Sequence, residues 1–147
     1  MPLPIALARQ LTEEQIAFVK RTGLKAEVLE PGFVRLMMPA AGNANHIGSM
    51  YAGALFTLAE LPGGALFLSS FDPKRFYPVV KEVNLRFRRP ARGDIRVEAR
   101  LTPEEILRLE RQAATEGKAE YCLELRLTDE QGEMVAESRG LYQLRMH

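Results

Sequence analysis

A chain of 147 residues, 46% hydrophobic and 27% charged, is long enough for one domain with a real core. Its formal net charge of +1 supplies no field that would recruit nucleic acid or an anionic membrane. A single cysteine, Cys122, excludes an intrachain disulfide framework, and with only two histidines beside it no Cys/His zinc site or other metal centre is expected.

The chain opens with MPLPIALARQ, which lacks a basic n-region and has only a short apolar run before Arg9. No signal peptide is therefore expected, and a reducing, cytoplasmic location is. Repeats, low-complexity tracts and linkers are not found, so residues 1–147 read as one domain with a helical segment over 1–24. Leu11 to Ile16 reads as a capping box, with Thr12 as N-cap, Gln15 at N3 and Leu11 stapled to Ile16, opening a short helix that stops near Gly23. Lys25–Glu30 and Gly32–Met38 read as strands broken by Pro31-Gly32, with Val34, Leu36 and Met38 on one face. A loop over 39–48, rich in Ala, Gly and Asn, then leads into the region 44–71.

There charge disappears: Glu60 is the only Asp, Glu, Lys or Arg between Ala44 and Phe71. At 3.6 residues per turn this is a helix apolar nearly all round, which implies burial on most faces. Its length would reach across a bilayer, but Glu60, Pro62, Gly63-Gly64 and the charge-rich amphipathic flanks argue against a span. Pro62 predicts a kink or local break just beyond Glu60. Each of Gly63 and Gly64 weakens a helix by about 1 kcal/mol relative to Ala, which implies either close packing on a sheet or a groove beside Glu60.

Downstream, Pro78–Arg89 alternates, with Val83, Leu85 and Phe87 opposite Asn84, Arg86 and Arg88. Ile95–Leu101 repeats the pattern, as does the stretch holding Tyr121, Leu123, Leu125 and Leu127. A hairpin turn over 129–132 joins it to a strand with Ala136, Ser138, Gly140, Tyr142 and Leu144 in one register. Between these strands Thr102, Pro103 and Glu105 form a second capping signal, so an inserted helix is expected over 103–116, ending at Gly117, as a lid or a strand connection. The whole reads as an α+β chain with one antiparallel sheet wrapped around a buried central helix.

A lone carboxylate in an apolar helix costs free energy unless it is hydrogen-bonded, raises its pKa or faces a wet cleft. Glu60 is thus either a structural group paired with an arginine or backbone donors, or a functional one. Asn45, His46, Gly48 and Ser49 stand just before the helix, where free N–H groups and the positive dipole end can polarise a carbonyl oxygen.

The run N-H-I-G-S-M-Y-A-G-A-L-F-T-L-A-E, residues 45–60, resembles the central-helix signature of hotdog-fold acyl-CoA thioesterases. That pattern is an Asn-rich loop, then His-Gly-Gly, then L-x-x-L-A followed by Asp or Glu. Asn45 matches the loop asparagine, Tyr51-Ala52-Gly53 the His-Gly-Gly, and Glu60 the catalytic acid. Tyr51 and Ala52 depart from the type pattern, a variation that looks more like the thioesterase-related subgroup fused to some acetyltransferases than the phenylacetate-pathway subgroup.

The resemblance implies a hotdog fold and hydrolysis of an acyl-CoA thioester without a cofactor. It also implies homodimers or dimers of dimers, with each site built from both protomers. Glu60 would activate water or attack directly, and N–H groups near Ala52 and Gly53 would hold the oxyanion. Gly53 lies roughly 10 Å from Glu60 along the axis, too far for one reacting group unless the donors come from a second copy. Asn45 would orient water or carbonyl, or else bond its own backbone. His46 and Tyr51 are further candidates for substrate contact, and Arg86, Arg88, Arg89 and Arg92 for the coenzyme A phosphates or a solvated strand face. Two rivals remain open here: a catalytically silent hotdog domain that binds an acyl or CoA ligand, and a hotdog dehydratase or hydratase, for which the His-plus-acid pairing is weak.

Overall fold

The computed structural model describes residues 1–147. The chain starts with helix α1 (Ile5–Gln10), continues through one π-helical turn, Leu11–Gln15, and after an extended Ile16 forms α2 (Ala17–Thr22). Here the capping expectation is corrected. The chain is already helical from Ile5 on, and the buried Thr12 hydroxyl donates to the Ala8 carbonyl one turn back, at 2.7 Å. That bond keeps Thr12 inside the helical run instead of at its start. Ile16 is exposed, so it staples nothing. The stop at Gly23 stands, with φ 76° in the left-handed region.

Strands β1 (Lys25–Glu30) and β2 (Phe33–Met38) pair antiparallel around Pro31-Gly32. Val34, Leu36 and Met38 are fully buried, as their alternation predicts. Helix α3 (Ala52–Ser70) follows the loop and is continuous through Pro62, so the expected break does not occur. Then come β3 (Phe76–Phe87), β4 (Ile95–Arg100), α4 (Pro103–Glu116), β5 (Lys118–Thr128) and β6 (Met134–Met146). The six strands form one antiparallel sheet in the order β1-β2-β4-β5-β6-β3.

Helix α3 packs against all six strands. The sheet wraps it because the inward positions, such as Val97, Leu123, Leu127 and Ala136, alternate with charged outward ones. One cluster of 35 buried hydrophobic residues fills the space between them. By length and composition α3 would also cross a membrane, and its enclosure by the sheet accounts for that composition.

The second capping box is present as read. Thr102 Oγ1 accepts from the Glu105 N–H at 3.1 Å, and the Glu105 carboxylate accepts from the Thr102 N–H at 2.9 Å. Leu109 and Ala113 are fully buried where α4 packs on β5 and β6, which makes the insertion a strand connection.

Candidate active site

Every residue of α3 is buried except Ala52, Gly53, Phe56, Glu60, Gly64 and Leu68. From the adjacent Ala52 and Gly53 onward, spaced three or four apart, these six form one stripe along the helix, with Glu60 near its middle. The one carboxylate of the central helix therefore stands on the one face that the chain's own sheet leaves open. No arginine pairs with it, and no backbone N–H of the chain is hydrogen-bonded to it. Burial alone pushes its pKa above the ordinary carboxylate value. Neither structural explanation for Glu60 is realised within a single chain.

The backbone around Glu60 is held by two residues that the sequence pattern marks only as core. Tyr142 on β6 donates its hydroxyl to the Glu60 carbonyl at 3.0 Å, and Tyr121 on β5 donates to the Gly63 carbonyl at 3.2 Å. Their rings stack with centroids 5.4 Å apart. Burial raises the pKa of both hydroxyls, and the nearby Glu60 adds to this, so both stay protonated as donors. They hold the helix backbone on either side of Pro62. The signal available in the sequence was that a buried tyrosine needs a partner for its hydroxyl, though not which one.

The adjacent glycines divide the two readings of the Gly63-Gly64 pair between them. A Cβ at Gly63 would lie 2.2 Å from the Tyr142 ring, so this glycine serves close packing. A Cβ at Gly64 would meet nothing within 4 Å, so this glycine faces open space on the Glu60 stripe.

At the start of α3, the N–H groups of Ala52 and Gly53 have no acceptor within the chain, and Tyr51 at the N-cap position provides no side-chain cap. These are the free donors expected of a helix N-terminus. The exposed Tyr51 ring lies across Gly53, where a Cβ would come within 2.5 Å of it. Asn45 builds the preceding turn. Its Oδ1 accepts from the N–H groups of Ile47 at 3.0 Å and Ser49 at 3.2 Å, while Nδ2 donates to Ser49 Oγ at 3.0 Å. The loop thus occupies its amide and leaves one Nδ2 hydrogen for anything else. His46 is exposed in the same turn.

The arginine candidates separate. Arg86 pairs across to Glu137 in register and faces the outer side of the sheet beside Arg126 and Arg139, away from α3. The structure therefore does not bring it to the helix, because alternation on β3 turns it outward. Arg88 and Arg89 follow the end of β3, and their N–H groups both donate to the Val135 carbonyl. Two residues further on, the Ala91 carbonyl accepts from the Met50 N–H at 2.9 Å, which ties this segment to the α3 start. Arg88 is ion-paired with Glu137, and Arg89 with Glu133 at 2.8 Å.

The family described as a domain of unknown function, DUF4442, matches residues 6–142. A Pseudomonas aeruginosa protein, PA5026, described as of unknown function and a probable thioesterase, is 77% identical and has a TM-score of 0.95. The match covers 100% of this chain and 99% of that one. The thioesterase HI1161 from Haemophilus influenzae superposes with a TM-score of 0.75 at 15% identity, over 99% of this chain and 93% of that one. A mutant of the thioesterase PA1618 from Pseudomonas aeruginosa gives a TM-score of 0.75 at 18% identity, over 100% and 97%. No curated protein matches the sequence.

Proposed function

Because this chain belongs to DUF4442, a thioesterase-like family with the hotdog fold, we propose that it hydrolyses an acyl-CoA thioester with the Glu60 carboxylate. One observation carries the reading: α3 holds a single carboxylate, without a partner in the chain, on its only open stripe. Ionised Glu60 takes a proton from water as the water oxygen attacks the thioester carbonyl carbon. N–H donors near Ala52 and Gly53 receive the developing oxyanion. Collapse of the tetrahedral intermediate breaks the C–S bond, and the departing thiolate takes up the proton. The test is a hydrolysis screen over a panel of CoA thioesters, with Glu60→Gln as control. No turnover of any thioester by the wild type would leave the silent-binder reading in its place.

The same reading calls for two copies, since the donors and the acid of one helix are roughly 10 Å apart. Strand β3 supports this: it is a 12-residue edge strand with Val80, Tyr77 and Phe87 exposed. A long unpaired edge of that kind invites pairing with another strand, and a self-complementary edge closes as a twofold dimer. Light scattering at micromolar concentration is expected to give at least the dimer mass; a monomer mass would remove the shared site.

On this reading Arg88 and Arg89, which follow β3 on the segment leading to Ala91, are the candidates to meet a CoA phosphate. Their exposed ion pairs with Glu137 and Glu133 hold them only weakly, so a phosphate can compete for the guanidinium groups. Changing both to Ala is expected to raise KM for CoA esters about tenfold, the loss of one or two charge-assisted bonds. A short pantetheine thioester should be affected less, and equal effects on the two substrates would exclude the phosphate contact.

A further inference from the structure

Beyond Glu60 the open stripe of α3 runs on into an apolar groove of about 490 Å³, closed on its other sides by the N-terminal helical segment and the start of β3. Leu61, Gly64 and Leu68 form the α3 wall, with Ile16 from the N-terminal segment and Tyr77 and Pro78 from β3 opposite. Its volume lies within the range of small-molecule sites. None of its lining residues is Asp, Glu, Lys or Arg, in a chain where such residues are 27% of the whole. Gly64 stands on the same helical face as Glu60, one turn further along the axis.

The presence of glycine at position 64 has no packing reason within the chain. A methyl group there would meet nothing within 4 Å, in contrast to Gly63, and glycine weakens the helix that the fold is built around. What glycine leaves is clear space in the wall of the groove, one helical turn from Glu60 on the same face. We propose that this groove takes the apolar acyl group of the thioester, and that Gly64 determines how bulky an acyl group can lie beside the carbonyl carbon that Glu60 serves. This inference rests on the thioester reading of Glu60 and adds to it the substrate class: an uncharged, apolar acyl group, since a carboxylate on the acyl chain would be buried without a partner.

Substituting position 64 tests it. The readout is the ratio of kcat/KM for dodecanoyl-CoA to that for butanoyl-CoA, for the wild type, Gly64→Ala and Gly64→Leu, with melting temperature measured on each. Gly64→Leu is expected to lower the ratio by about tenfold or more, as a pocket filled by several carbon atoms discriminates against a longer chain. Gly64→Ala should fall between the two, with a melting temperature equal to or above that of the wild type, because nothing crowds the added methyl.

Calorimetric binding of dodecanoyl-CoA in the Glu60→Gln background separates the groove from the hydrolytic assignment. If the wild type hydrolyses no thioester but Gly64→Leu still weakens dodecanoyl-CoA binding relative to butanoyl-CoA, the groove stands and the catalytic reading falls. If thioesters are hydrolysed and the ratio is unchanged in Gly64→Leu, the groove assignment is overturned. It is likewise overturned if Gly64→Leu converts an oligomer to a monomer without altering the ratio, since a second copy then fills the groove, or if dodecanoyl-CoA does not bind.

Discussion

Replacing Glu60 with glutamine is expected to lower kcat by a factor of about 10² to 10⁴, the range for losing a general base. Glutamine keeps the shape of the side chain and removes the basic oxygen. Wild-type activity should rise with pH as Glu60 ionises, and burial places that rise above the ordinary glutamate value of 4.5. Stability should move in the opposite sense. The folded state binds this proton more tightly than the unfolded chain does. Its contribution is thus fully present below the ordinary value and is lost as pH rises through the raised one. Glutamine does not titrate, so the variant should melt at an equal or higher temperature than the wild type once pH exceeds that window, with the difference shrinking in acid. A structural glutamate predicts the reverse, a loss of about 3 kcal/mol or more from an unpaired buried partner. An unstable variant, or a stable one with unchanged turnover, would end the catalytic assignment.

Gly63→Ala is expected to destabilise the fold by about 2–3 kcal/mol, in the upper part of the range for overpacking a filled core. The new methyl would lie 2.2, 2.5 and 2.6 Å from three atoms of the Tyr142 ring. That ring cannot swing aside: it is buried, stacked on Tyr121, and tied through its hydroxyl to the Glu60 carbonyl. Alanine's better helix propensity, about 1 kcal/mol, offsets only part of the clash. For a chain of this length the melting temperature should fall by about 5–10 °C. Turnover should fall as well, because any shift that relieves the clash moves the backbone of Glu60. A melting temperature at or above the wild-type value would show that α3 and β6 are not in the contact described.

The hydrophobic patterning of this chain was sufficient to determine its architecture. Alternation over β4, β5 and β6 and the charge-free run over α3 each state which residues must leave water, and a sheet around a helix is what buries both. Local capping chemistry was decisive for α4, where Thr102 and Glu105 satisfy each other's backbone within four residues. It misled at Thr12, because a threonine hydroxyl bonds equally well to a carbonyl one turn back, and only the helical start at Ile5 selects between the two. The prominence of Glu60 was likewise legible, since an isolated charge in an apolar helix needs a reason wherever it occurs.

What surrounds Glu60 was not legible, because the deciding contacts join residues far apart in the chain. Tyr121 and Tyr142 read as core positions until the strands set their hydroxyls against the carbonyls of Gly63 and Glu60. Gly63 and Gly64 are equivalent as letters. A rotation of about 100° per residue turns the first into the Tyr142 ring and the second into open space, so tertiary packing alone makes one a contact and the other a wall of the groove.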